Sequence, residues 1–250
     1  APCPEQAFNA TALKWHTCAW LLLPVLIFLA GWMHWYAALP LMLLTAAGLA
    51  PRKRKEPQTR DSLPAFPLFT RSSFLALAAF AALMTLSGWG EWVNQHPDHI
   101  VRNACLRELV ASPWPVIFPD GNMLVYNTGF WLVPALAGKL AGLDAARVFV
   151  VLWGTWGLFL TWLWLCVFSG RRSLLLALLM AAFGSLLNFQ CWLGLDLFRL
   201  HYFGTAEQIM CSANASIPVL LFFIFLASGR MPLPWIPLLF AATAFYLSLI

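Results

Sequence analysis

One run of 34 residues, 17–50, is apolar throughout and limits the fold more than any other feature of the chain. About 20 helical residues cross the hydrocarbon layer of a bilayer, so this run is too long for one untilted span. Pro24, Gly31 and Pro40 interrupt it, and Trp32, His34, Trp35 and Tyr36 gather in its middle. Aromatic rings with a polar edge favour the membrane interface, which predicts a tight hairpin of two short spans. Further apolar runs follow at 72–88, 147–168, 173–187, 217–227 and 233–250. A chain of 250 residues that is 61% hydrophobic and 10% charged cannot hide that surface inside one water-soluble globule. The expected fold class is all-α, a polytopic transmembrane helix bundle with juxtamembrane helices in the first large outer loop. Residues 1–70 are read as the hairpin plus a basic cytosolic loop, and 71–250 as a transmembrane module. The chain opens on Ala1 without Met and stops at Ile250 inside an apolar run, so it is expected to be part of a longer protein, incomplete at the carboxyl end.

The net charge of +5 does not point to nucleic acid, because the bases gather at the ends of apolar segments, where they set topology. The clearest signal is Arg52-Lys53-Arg54-Lys55, which shares a side with Lys14 if the hairpin forms. Segment 72–88 then runs outward. Segment 127–140 is short and carries Pro134, Gly138 and Lys139, suiting a helix that lies at the interface without crossing. Only then does the span at 147–168 end with Arg171 and Arg172 in the cytosol. Segment 173–187 returns outward to a second outer region at 188–212, 217–227 comes back to a turn at Gly229-Arg230, and 233–250 leaves again. This threading puts ten bases and three acids in the cytosol, and five bases and seven acids outside. The expected location is the bacterial inner membrane, with the outer loops in the periplasm.

Six cysteines show no CxxC spacing, so neither a zinc site nor a disulfide framework is indicated. One pair, such as Cys191 with Cys211, could bridge if both lie outside the cytosol, with small buried side chains as the plainer reading.

Residues 90–127 hold the longest polar stretch between strongly apolar ones, including Glu91, Asp98, Arg102, Arg107, Glu108 and Asp120. Within it, 99–110 has apolar residues at 100, 101, 105, 106, 109 and 110, a helical stripe with Arg102, Asn103, Arg107 and Glu108 elsewhere around it. Asp98 precedes this helix and reads either as its N-cap or as a carboxylate held at the membrane surface. His96 and His99 flank it, but Pro97 and the short spacing argue against a shared ion. Pro113, Pro115 and Pro119 exclude regular helix from the loop that follows, and Asp120-Gly121 reads as a turn.

The order of span, outer loop with an early acid, short amphipathic helix, WPV, LVYNTGFWLVPALAGKLAG, and then a span ARVFVVLWGTWGLFLTWLWL closed by Arg-Arg resembles the amino-terminal module of the GT-C glycosyltransferases. The likeness covers roughly residues 74–187. It implies a membrane enzyme that moves a sugar or glycan from a polyprenyl-phosphate-linked donor to a glycan, lipid or protein acceptor. The essential acid of the first outer loop falls on Asp98, and the Tyr- and Pro-containing juxtamembrane helix ending in Gly falls on Tyr126, Pro134 and Gly142. The Arg that opens the next span falls on Arg147.

Sugar transfer with inversion needs a carboxylate to take the acceptor's proton, the role this resemblance gives Asp98, and cations to stabilise the departing phosphate. Arg102, Arg107, Arg147, Arg199 and His201 are the candidates, with Tyr126 beside the substrate. A divalent Mg or Mn ion is the conceivable cofactor, with Asp98 and Glu207 as weak ligands. Plainer roles stand beside these. Arg102 and Arg107 can pair with Glu108 and headgroups, Arg147 can pair with Asp144, and Trp153, Trp156, Trp162 and Trp164 can be packing residues instead of contacts for a polyprenyl tail. A lipid or small-molecule transporter and a non-catalytic membrane subunit are the rival functions.

Overall fold

The computed structural model describes residues 10–49, 70–93, 95, 97–182 and 205–247, and these are all-helical, with no strand among them. The long apolar run divides into α1 (Ala10–Trp32) and α2 (Trp35–Leu49), and the break falls inside the aromatic cluster, at His34. The helix α3 (Arg71–Leu86) is followed by α4 (His99–Ala111), a 3-10 turn at Thr128–Phe130 and α5 (Leu132–Ala141). The longest helix, α6 (Leu143–Ser169), leads to α7 (Leu174–Ala182), α8 (Thr205–Ala227), a second 3-10 turn at Leu233–Trp235 and α9 (Ile236–Leu247).

Two of these helices, α1 over residues 12–32 and α6, are long and apolar enough to cross a membrane. The segment expected as the third span, 72–88, is the helix α3, whose 16 residues reach ~24 Å at 1.5 Å per residue. Helix α8 starts earlier than expected, at Thr205, and bends where Ser212 leaves helical geometry (φ −149°, ψ 45°). The turn predicted at Asp120-Gly121 is present: Gly121 has φ +83° and its N–H donates to the Phe118 carbonyl at 2.9 Å. Cys191 and Cys211, the candidate bridge, lie outside the described side chains.

Helix α6 is the axis, packed against α5, α8, α3, α4, α1 and α7. Its glycines let neighbours approach closely, as small residues do where helices meet in membranes. A Cβ on Gly157 would lie 2.5 Å from Ile217 and 2.7 Å from the Trp20 ring, and one on Gly154 would overlap Met84. At the end of α5, a Cβ on Gly138 would meet Val110 of α4 at 2.5 Å and Ala146 of α6 at 2.8 Å. Overpacking a tight junction costs about 1–3 kcal/mol. Gly138→Val is therefore expected to lower the thermal midpoint of the protein by several degrees and to loosen α4 against α6, seen as faster hydrogen exchange over α4.

Helix directions follow from side-chain contacts. Trp164 stacks on Phe225 and Gly157 abuts Ile217, so α8 runs parallel to α6. Trp164 donates to Thr17 while Trp20 donates to the Trp153 carbonyl, so α1 runs antiparallel to α6. Trp15 meets Trp235 and Phe28 meets Phe245, which makes α9 parallel to α1. Arg172, just past α6, donates to Thr70 Oγ1 at 3.0 Å and Ser73 Oγ at 3.1 Å, at the start of α3. At the opposite end Glu91, just past α3, binds Arg147 at the start of α6. Thus α3 and α6 are antiparallel neighbours, and the ten-residue α5 between them does not carry the chain across the bundle.

This packing sorts the charges. One end holds Lys14, Arg71, Arg171, Arg172 and Arg230, with no described acid beside them. The other holds Glu91, Asp98, Glu108, Asp120 and Asp144 with Arg102, Arg107, Lys139 and Arg147. Between the ends the outer surface is apolar: Trp35, Leu43 and Leu44 on α2, Phe74 and Leu75 on α3, Leu178 on α7, and Phe240 on α9 are exposed.

Candidate functional site

The acidic end is built on α4, which lies across the ends of α5 and α6. Its buried face comprises His99, Arg102, Cys105, Leu106 and Leu109, while Ile100 (72% exposed) and Val101 (55%) point outward. The apolar stripe expected at 100 and 101 is thus partly reversed, because the inward face carries one imidazole and one guanidinium. His99 meets the Trp89 ring edge-on at 4.8 Å, and the Arg102 guanidinium lies over that ring at 5.8 Å. Burial drives the Cys105 thiol up to about 12, which keeps it a neutral packing group.

Asp98 occupies the N-cap position without capping. Its backbone is already helical (φ −60°, ψ −24°) and its side chain makes no cap hydrogen bond. A capping residue needs an extended backbone to turn its oxygen back to the first turn. Asp98 is instead half-exposed, with Oδ2 3.8 Å from Arg102 Nη2. Arg102 in turn is buried, and the same Nη2 donates to Ser212 Oγ at 3.3 Å, at the bend of α8. Its Nε and Nη1 have no hydrogen-bond partner among the described residues. A guanidinium that deeply placed carries donors for an anion.

Arg107 and Arg147, also predicted to meet substrate, are otherwise engaged. Glu91 Oε2 accepts from Arg107 Nη2 at 2.6 Å and from Arg147 Nη2 at 2.5 Å, and Arg147 Nη1 donates to Asp144 at 2.8 Å. One carboxylate therefore ties the end of α3 to α4 and α6. Glu91 adopts φ +67°, the one non-glycine residue in that region among those described, and follows Gly88 and Gly90, which also have positive φ. Arg107 and Arg147 were expected to face substrate, and the structure gives them this clasp. Lys139 also has a structural contact, donating to the Ser112 carbonyl at 2.5 Å past the end of α4. Tyr126 is partly buried and packed against the core. Arg199 and His201 lie outside the described residues, as does the side chain of Glu207.

Burial pushes the Glu91 carboxyl up, but the hydrogen bonds from Arg107 and Arg147 and their positive charge outweigh it and hold the group below its ordinary 4.5. A carboxyl that binds its proton less tightly when folded contributes stability fully above about pH 5 and loses it as pH falls through the folded value. Thermal unfolding of the wild type is expected to drop more steeply between pH 5 and pH 3.5 than that of Glu91→Gln. At pH 7 the variant should be less stable by about 1–2 kcal/mol, the contribution of hydrogen bonds to charged partners in a partly exposed network. Parallel pH profiles for the two proteins would remove the clasp from the stability account.

Among the described residues no group of three His, Cys, Asp or Glu side chains gathers as metal ligands would. The Arg102 guanidinium beside Asp98 also opposes a divalent cation on that carboxylate. The metal expectation pairs Asp98 with Glu207, whose side chain lies outside the described residues. Compared with protein-family models, curated proteins and solved structures, the chain gives no match.

Proposed function

We propose that this protein is a multi-pass membrane glycosyltransferase of the GT-C type that acts at the acidic end of its helix bundle. The membrane reading is supported by the apolar sides and by the separation of described charges, five bases at one end and five acids with four bases at the other. Bases are retained in the cytosol, so the acidic end faces the periplasm or its equivalent. Outward-facing Ile100 and Val101 suit a surface helix lying against lipid.

The observation that carries the enzymatic reading is the pair of a half-exposed Asp98 and a buried Arg102, two of whose nitrogens have no hydrogen-bond partner among the described residues. Asp98 takes the proton of an acceptor hydroxyl as that oxygen bonds to the anomeric carbon of the donor sugar. The bond between the anomeric carbon and the phosphate oxygen breaks, and its electron pair leaves with the polyprenyl phosphate. Arg102 meets the departing phosphate, and an electrostatic contact of this kind is strongest where water is excluded. Glu91, Arg107 and Arg147 hold α3, α4 and α6 in register beneath this pair, a positioning role. A transporter is less well supported, since no described charge lies midway along α1, α3, α6 or α9.

The test supplies membranes containing the protein with labelled polyprenyl-phosphate-linked sugars and follows loss of label from the lipid. Consumption of one donor that stops in Asp98→Asn supports the reading. Undiminished transfer by folded Asp98→Asn, or no consumption of any such donor, overturns it.

A further inference from the structure

Away from the acidic end, an apolar cleft of about 260 Å³ opens between α1 and α2, with Trp15, Cys18, Leu22 and Leu26 on one wall and Met42 and Ala46 on the other. The one hydroxyl at its edge, on Thr45, donates to the Leu41 carbonyl at 2.9 Å and so has no proton left for a polar ligand. Helix α2 touches the bundle on a narrow front, with Ala38 its single buried residue, so the cleft is open along the side of the molecule.

We infer that this cleft is a binding site for one acyl chain of an anionic phospholipid from the leaflet at the basic end. The inference rests on the membrane reading of the protein and not on its chemistry. Trp15 and Leu49 mark the end of the cleft toward the basic face, since Trp15 also meets Trp235 near the start of α9. Lys14 lies one helical turn before Cys18, on the side of α1 that lines the cleft, and so stands at its mouth. An apolar channel with a lysine at its mouth matches a hydrocarbon chain that carries a phosphodiester headgroup. A neutral or zwitterionic headgroup gains less from the same ammonium.

The test uses the full chain purified in mild detergent and examined by native mass spectrometry after addition of phosphatidylglycerol or phosphatidylcholine. Wild type is expected to retain phosphatidylglycerol in preference to phosphatidylcholine. Ala46→Phe, which fills the cleft while remaining apolar, should lower retention about tenfold through the excluded methylenes. Lys14→Gln should lower it about fivefold and remove the headgroup preference. Equal retention by all three proteins, or equal retention of both lipids by the wild type, overturns the site. Recovery of the protein from cells without detergent would instead overturn the membrane reading beneath it. A loss of sugar transfer in Asp98→Asn leaves this inference unaffected, because residue 98 lies at the other end of the bundle.

Discussion

Asp98→Asn is expected to reduce sugar transfer by about 10²–10⁴-fold, the usual contribution of a positioned general base. Substrate binding should change little. The substitution keeps the size of the side chain and removes the group that accepts the proton, so the loss belongs in kcat more than in KM. Folding should survive, because Asp98 is half-exposed and makes no cap hydrogen bond whose removal would fray α4. Arg102→Gln supplies the contrast. It removes charge where the proposed reaction releases the lipid phosphate, and a poorer leaving group, such as a sugar on an alkyl phosphate of higher basicity, should suffer more from it than from Asp98→Asn. Equal sensitivity of both variants to the leaving group would argue that the two residues act only as an ion pair.

Trp20→Ala should destabilise the protein by ~3 kcal/mol, at the lower edge of the range for large buried aromatics. Trp20 is sandwiched between Trp153 at 5.0 Å and Tyr246 at 5.3 Å, with interplanar angles of 13° and 5°. It also donates Nε1–H to the Trp153 carbonyl at 3.0 Å, and its own carbonyl accepts from the Tyr246 hydroxyl at 2.6 Å. In lipid the transfer part of the penalty is small, because acyl chains are as apolar as a protein core. What is lost is contact between surfaces that cannot close over the gap. Thermal unfolding in detergent measures this, and Trp20→Phe should recover about half of it by restoring one ring in the stack.

Much of the helical layout was legible because its causes are local. His34 amid aromatics marks the break between α1 and α2, three prolines keep residues 113–119 out of a helix, and Pro134 with Gly142 brackets a short α5. The failures have causes that are distant in sequence. Arg102 turns inward because Trp89 and Ser212 wait there, and Ser212 lies 110 residues away. Arg147 looks like a partner for Asp144 alone until the fold delivers Glu91 from 56 residues earlier. The choice of Asp98 over Glu91 came from the family resemblance. The geometry adds a separate distinction, since the Glu91 carboxylate lies between two arginines and is mostly covered while the Asp98 side chain is half-exposed.

The aromatic stack around Trp20 also sets an order of events during synthesis. Tyr246 is 226 residues downstream of the carbonyl it binds, and Trp153 is 133 residues downstream of the ring it faces. On the proposed membrane reading, helix α1 is therefore released into the bilayer long before either flank of its ring exists. It must stay bare there until α6 and α9 emerge, and closing so wide a sequence gap is intrinsically slow. The early hairpin with α2 gives it one companion for that interval, so weakening the hairpin should show up first as degradation of nascent chains and only later as a less stable finished protein.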